Sequence, residues 1–137
     1  THTRSSAASD VYKRQEKFLS RCGLDISAHR KRTESYSKGM RQKVGIAIAL
    51  AKDAKVYLLD EPASGLDPLA SNELSKLLKE LSSDGSAILM ASHDIFRVRE
   101  TCNRIGIIKT GQLLKEMNTS EVSTNQLERI YIDYMQR

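Results

Sequence analysis

The chain has 137 residues, of which 39% are hydrophobic and 28% charged, the composition of an ordinary globular protein rather than a disordered or fibrous one. No apolar run approaches the roughly 20 residues needed to cross a bilayer, and the polar first residues lack the apolar core of a secretory signal. We therefore expect a cytoplasmic protein in which Cys22 and Cys102 are reduced thiols, and their isolation in the sequence argues against a zinc site.

The net charge of +5 is concentrated between residues 16 and 43, where eight lysines and arginines accompany three acids. Such a run usually forms a solvated helical face, and the more specific alternative is that it contacts nucleotide phosphates. Aromatic residues, which would stack on bases, make up only 5% of the chain. We therefore expect no nucleic-acid partner.

Residues 1–15 show no helical or strand periodicity and are interpreted as a disordered or non-native lead. Residues 16–22 and a short stretch after Asp25 are predicted to be helical, with Gly23 as the C-cap between them. A polar loop over residues 34–40 precedes a further helix. The predicted apolar stripe of that helix consists of Val44, Ala47, Ile48 and Ala51.

Two short apolar runs are predicted to be buried strands of a parallel sheet. The first covers residues 56–59 and leads into Asp60, and the second covers residues 87–91 and ends just before His93. Between them, Asp67 and the proline after it are typical of a helix N-cap and first helical position. The buried side of that helix is predicted to consist of Leu74, Leu77, Leu78 and Leu81.

The last part of the chain is predicted to contain a helix over residues 95–102, a hairpin with its turn at Thr110 and Gly111, and a final helix. Ser123 and Gln126 match a capping box at the start of that helix. Strands that alternate with helices predict an α/β fold, a parallel sheet flanked by helices that is followed by a hairpin and a helix.

Ionisable residues follow both predicted strands. Asp60 and Glu61 come after the first strand, and His93 comes after the second. In parallel α/β sheets, ligands bind beyond the carboxyl ends of the strands, so these three side chains are expected to converge there. From these residues alone, an ordinary solvated turn is an equally good interpretation.

Four segments, taken in order and with their spacing, resemble the signature motif, Walker B motif, D-loop and His-switch of ABC ATPases. They are Tyr36–Lys43, Leu58–Pro62, Ser64–Asp67 and Ser92–Asp94. The resemblance covers residues 16–137. It implies the C-terminal portion of one ABC ATPase domain of the P-loop NTPase class, with residues 16–43 as the end of the helical subdomain and residues 44–137 as the remainder of the catalytic core.

The resemblance implies ATP and Mg²⁺ as ligands. Asp60 would hold Mg²⁺ through water, and Glu61 would accept a proton from the attacking water. His93 would donate a hydrogen bond to the γ-phosphate and so sense its presence. These assignments fit the needs of phosphoryl transfer, which are charge neutralisation, an oriented water and donors for the phosphate.

The resemblance also implies that a second ATP-binding subunit completes the site, with ATP sandwiched between the two. The residues expected to face that nucleotide or the partner are Ser37, Lys38, Gly39 and Met40 in the signature and Ser64, Gly65 and Asp67 in the D-loop. Tyr36, Lys38 and Met40 depart from the commonest signature, Leu-Ser-Gly-Gly-Gln. Lys38 would either add positive charge near the phosphate or point to solvent.

No Gly-x-x-x-x-Gly-Lys-Ser/Thr loop occurs in the sequence, so we expect this chain alone to be inactive and to expose a sheet edge and apolar surface. The resemblance implies that the intact protein is the ATP-hydrolysing motor of a membrane transporter. That motor would dock on transmembrane permease subunits at the cytoplasmic face. The signature variant resembles those of bacterial drug, sodium or lipid exporters. The alternative is a soluble ABC ATPase of translation or DNA repair.

Overall fold

The computed structural model describes residues 3–52 and 54–136, with the side chains described from residue 11 onward. The chain divides into two compact units between Met90 and Ala91. No helix in these two described stretches is both long enough and apolar enough to cross a membrane. The helices are α1 (Thr3–Arg21), α2 (Lys38–Ala51), α3 (Pro68–Ser83), α4 (Ile95–Thr101) and α5 (Thr124–Gln136), and the strands are β1 (Val56–Asp60), β2 (Ala87–Ala91), β3 (Arg104–Lys109) and β4 (Gln112–Asn118).

Residues 1–15 were expected to be a disordered or non-native lead, and the expected disorder is wrong from residue 3 onward, because α1 begins at Thr3 and runs unbroken to Arg21. That the lead is non-native stays a prediction. Phe18 and Leu19 of α1 pack against the core of the first unit. Helix formation is cooperative, and the preceding residues are rich in the good helix formers Ala, Lys, Arg, Gln and Glu, so the helix extends from this packed end toward the N-terminus. Residues 1–2 of the lead lie outside the described residues.

The core of the first unit is made by three helices and one face of a two-stranded sheet. Cys22, the residue after α1, and Ile46 of α2 share this core, so the core includes residues from both sides of the boundary expected near residue 43. The leucine stripe predicted for α3 is confirmed, since all four side chains are buried. The buried core side chains are Cys22, Ile46, Ala47, Leu50, Tyr57, Leu74, Leu77, Leu78 and Leu81.

The stripe predicted for α2 is wrong by a little over a quarter of a turn, with Ala47 common to the predicted and buried stripes. The helix buries Ile46, Ala47 and Leu50, while Ile48 is 55% exposed. From Val44 onward the helix is almost continuously apolar, so more than one stripe satisfies the helical spacing. Packing against α1 and α3 selects the stripe that is buried.

Strands β1 and β2 pair in parallel, and the amide of Ala87 donates to the carbonyl of Lys55 at 2.8 Å where the two strands begin. The prediction of fully buried strands is wrong for one face. Tyr57 is buried against the helices, whereas Leu58 is 74% and Leu89 69% exposed. Successive side chains of a strand point to opposite faces, so helices on one side cover only every second residue. The expected exposed apolar surface is found here.

The second unit is an antiparallel hairpin, β3 and β4, with two helices. Thr110 and Gly111 both have positive φ, 50° and 79°, as a two-residue hairpin turn requires. The predicted capping box is confirmed: Ser123 Oγ accepts from the amide of Gln126 at 3.3 Å, and Gln126 Oε1 accepts from the amide of Ser123 at 2.8 Å. The core of this unit consists of Ile105, Ile107, Met117 and Leu127.

Candidate functional site

The two acids predicted to be functional lie where β1 ends. Asp60 is its last residue and is exposed, and Glu61 follows with φ +45°. A non-glycine residue at positive φ is uncommon, and the next residue, a proline, further restricts the conformations of Glu61. The side chain of Pro62 is almost completely buried and fixes the chain just beyond Glu61. The carboxylate therefore stands on a backbone held in an unfavourable conformation, a form of strain that clusters at functional sites.

A tight turn carries the chain from Glu61 to helix α3. The amide of Ser64 donates to the carbonyl of Glu61 at 3.0 Å, and Gly65 follows with φ +78°. Asp67 then caps α3, because its Oδ1 accepts from the amide of Ala70 at 2.9 Å. That hydrogen bond lowers the pKa of Asp67 below its usual value, so the carboxyl stays ionised. The predicted N-cap role of Asp67 is confirmed, and its role at a subunit interface stays a prediction.

The signature segment forms the first turn of α2. Ser37 is the N-cap, and its Oγ accepts from the amide of Met40 at 3.2 Å. A serine hydroxyl that accepts one bond still has its hydrogen to donate, so Ser37 is equipped to bind an anion at this helix terminus. The side chain of Met40 packs partly buried against the cluster of Leu24, Ala28 and Tyr36. Met40 therefore contributes packing here, and its expected contact with nucleotide stays a prediction.

The side chain of Lys38 has a partner within the chain, and the two alternatives weighed from the sequence stay predictions. It crosses to the turn after β1, where Nζ donates to Ser64 Oγ at 3.1 Å. Its exposed ammonium is thus partnered by a residue 26 positions away in the chain. Gly39, the next residue, packs close to Leu66 of the same turn. The signature and D-loop residues of one chain are therefore in direct contact.

Much of the positive charge of residues 16–43 is used inside the protein. Arg41 donates to the carbonyl of Tyr36 at 2.6 Å, and Lys43 donates to the carbonyl of Gly23 at 2.6 Å. Arg30 lies 3.4 Å from the carboxylate of Glu16, on the surface. These cations close helix ends and connect segments, which accounts for part of the charge run without an external partner.

His93 lies in the second unit, between β2 and α4, and is exposed. Asp94, beside it, caps α4 by accepting from the amide of Arg97 at 3.0 Å. The convergence of His93 with Asp60 and Glu61 stays a prediction.

The residues of the first unit fit a magnesium ion held mainly through water. Within residues 3–52 and 54–136 no group of three or more His, Cys, Asp or Glu side chains comes close enough to bind a metal by itself. Mg²⁺ usually keeps several waters and takes one or two carboxylates together with substrate phosphates. The exposed carboxylate of Asp60 suits that kind of coordination.

Two residues that support the site were not identified from the sequence as site residues. Pro62 anchors the turn after Glu61, and Leu66 receives Gly39 at the start of α2. The proline directly after two acids was a usable signal, because it restricts the residue before it. The contact of Leu66 with Gly39 joins segments that are far apart in the chain, so no local sequence pattern predicts it.

Comparison with known proteins adds independent information. The family described as "AAA domain, putative AbiEii toxin, Type IV TA system" matches residues 28–98, just over half of the chain. An uncharacterised ABC transporter ATP-binding protein of Synechocystis is 40% identical over 116 residues, which are 82% of this chain and 33% of that protein. The bacitracin transport ATP-binding protein of Enterococcus faecalis is 37% identical over 78% of this chain and 35% of its own length.

Solved structures agree with these relatives. A dimeric ATP-binding cassette in a post-hydrolysis state, bound to ADP and phosphate, superposes with a TM-score of 0.74 at 30% identity. The match covers 78% of this chain and 46% of that one. The chain thus spans about a third of the length of the two relatives and about half of the matched structure.

Proposed function

This chain belongs to the family of ABC transporter ATP-binding proteins, and from that premise we propose that it supplies the catalytic carboxylate and the signature segment of an ATP-hydrolysing site. The observation that carries the proposal is the position of Asp60 and Glu61 at the carboxyl end of a parallel strand, with Glu61 held at φ +45°. That edge is where α/β folds bind ligands.

In the proposed reaction, ATP and water give ADP and phosphate. The oxygen of the water forms a bond to the γ-phosphorus, while the bond between that phosphorus and the oxygen that leaves with ADP breaks. Glu61 accepts the proton that the attacking water loses. Asp60 would hold Mg²⁺, and the bound ion would neutralise part of the phosphate charge. The unfavourable backbone at Glu61, fixed by the buried Pro62, serves to aim the carboxylate at the water rather than let it relax into solvent.

The signature segment acts on the nucleotide of a second ATP-binding subunit. Ser37 donates its hydroxyl hydrogen to a phosphate oxygen, and the N-terminus of α2 favours the negative charge. His93 donates to the γ-phosphate in the same proposal. The dimeric form of the matched cassette supports a two-subunit site.

We further propose that the full-length protein drives an exporter, docked on transmembrane permease subunits at the cytoplasmic face of the membrane. The relative named for bacitracin transport supports transport as the process. The signature sequence Tyr-Ser-Lys-Gly-Met supports export over import.

The test is Glu61→Gln in the full-length protein that carries this sequence. The amide keeps the size of the side chain but cannot accept the proton, so turnover should fall by about 10²–10⁴-fold while ATP-dependent dimerisation persists. Hydrolysis is measured by phosphate release and dimerisation by light scattering. Glu128→Gln, an exposed carboxylate on α5, is the matched control and should leave both unchanged. Near-parental hydrolysis by Glu61→Gln contradicts the assignment.

A further inference from the structure

The side chain of Lys38 joins two segments to which the proposed function gives separate tasks. Its Nζ donates to Ser64 Oγ at 3.1 Å, and its aliphatic stem lies along Gly65. A Cβ placed on Gly65 would come within 2.9 Å of Lys38 Cδ, so the stem fills the space that a larger residue would need. Lys38 thus contacts the turn after β1 with both its stem and its ammonium.

The neighbouring residue makes a second contact between the same segments. A Cβ on Gly39 would lie 3.1 Å from Leu66 Cδ2 and 3.5 Å from the carbonyl oxygen of Gly65. The first turn of α2 therefore packs closely on residues 64–66. The hydrogen bond of Lys38 adds a further contact between the same two segments.

Ser64 connects this contact to the acid. Its side chain accepts from Lys38, and its amide donates to the carbonyl of Glu61 at 3.0 Å. Pro62, which is buried and conformationally restricted, lies between Glu61 and Ser64 in the chain. Movement of Ser64 is therefore transmitted to the backbone of Glu61 through one hydrogen bond and three peptide bonds.

We propose that Lys38 is a positioning residue that holds the turn of residues 61–66, and through it the carboxylate of Glu61, against the start of α2. The inference rests on the proposed function only in treating Glu61 as the base. A backbone at φ +45° relaxes when the surrounding structure ceases to restrain it, and the Lys38–Ser64 bond is one such restraint. In this role Lys38 holds a turn of the protein and does not bind a phosphate of the nucleotide.

The first test measures amide hydrogen exchange of Ser64 and Leu66 in this chain. Lys38→Met keeps most of the stem and removes the ammonium, and Ser64→Ala removes the acceptor. Each variant should accelerate exchange of both amides by about 2- to 5-fold, the range expected for an exposed charged hydrogen bond. The double variant should be no faster than the faster single variant, because both changes break one bond.

Two controls make that result specific. Lys38→Arg retains a donor of similar reach and should restore most of the protection. Lys79→Met changes an exposed lysine on α3, away from the turn, and should leave exchange at Ser64 and Leu66 unchanged. Unchanged exchange in Lys38→Met, or additive effects in the double variant, overturns the inference.

The second test uses ATP hydrolysis by the full-length protein. A positioning role predicts a lower kcat for Lys38→Met with the KM for MgATP unchanged, and recovery in Lys38→Arg. A raised KM with unchanged kcat would mean that Lys38 binds the nucleotide, which overturns the inference. If no variant and not even the unmodified protein hydrolyses ATP, the proposed function fails while the exchange measurement still decides the role of Lys38.

Discussion

The hydroxyl of Tyr36 donates a 2.6 Å hydrogen bond to the carbonyl of Ala28, inside a small buried cluster. Tyr36 occupies the position where the commonest signature sequence has leucine. The bond fastens the segment before the signature to the turn after α1. Arg41 donates to the carbonyl of Tyr36 at 2.6 Å and secures the same residue from the α2 side. The signature turn is therefore fixed from two directions before any ligand arrives.

Tyr36→Phe should lower the free energy of unfolding by about 1 kcal/mol, because a buried hydrogen bond is lost and the carbonyl of Ala28 keeps only its bond from the amide of Lys31. Urea unfolding followed by circular dichroism measures the change. Tyr12→Phe, which removes a hydroxyl from a side chain that is 64% exposed, is the control and should change little. Equal effects of the two substitutions would show that the Tyr36 bond contributes nothing to stability.

The positive φ of Glu61 predicts an unusual order of stability among substitutions at that position. Glu61→Gly should be more stable than Glu61→Ala by about 1 kcal/mol, because glycine adopts the left-handed conformation without the Cβ penalty. Both variants remove the carboxylate, so the comparison isolates the backbone. Urea midpoints of the two proteins provide the measurement, and a more stable alanine variant would mean that no strain is present.

Burial raises the pKa of the Cys22 thiol to about 11, against the opposing effect of the positive charges of Arg21 and Lys43. Because the thiolate is the reactive form, a rise of two units from the ordinary value of 9.0 predicts modification at pH 8 about 100-fold slower than for a free thiol. The rate of modification is measured with Ellman's reagent in a Cys102→Ser variant, in which Cys22 is the only remaining cysteine. Urea should restore full reactivity, and fast modification of the folded protein would contradict the burial of Cys22.

The same shift makes stability depend on pH. The pKa of the Cys22 thiol is higher in the folded protein than in the unfolded chain, where it has its ordinary value of 9.0. The contribution of the buried thiol to the free energy of unfolding is therefore fully present below pH 9.0 and is lost as the pH rises toward about 11. The urea midpoint should therefore fall over that range. A Cys22→Ala variant should show a smaller fall, since it lacks the titrating group, and an identical pH profile would assign the effect to other residues.

This chain should bind MgATP weakly, with no micromolar binding detectable by isothermal titration calorimetry. Its sequence has no Gly-x-x-x-x-Gly-Lys-Ser/Thr loop, whose amides and lysine would hold the phosphates. Asp60 and the start of α2 by themselves offer one carboxylate and one helix terminus. A full-length ABC cassette that contains such a loop is the positive control, and micromolar binding by this chain would contradict the prediction.

The sequence alone determined the features that depend on near neighbours in the chain. The N-cap at Asp67 and the capping box of Ser123 with Gln126 each need residues only a few positions apart, and each is present in the structure. The leucine stripe of α3 was equally readable, because polar residues surround it on the other faces of the helix. The order and spacing of the four motifs likewise identify the family.

Only the tertiary structure decided which surfaces meet. The buried stripe of α2 was ambiguous, since an almost uniformly apolar helix offers several stripes and packing selects one. The exposure of Leu58 and Leu89 depends on which face of the sheet the helices cover. The bond of Lys38 to Ser64 joins residues 26 positions apart, and no local pattern encodes it. Such contacts depend on how whole elements pack, a property of long-range contacts that neither periodicity nor short motifs contain.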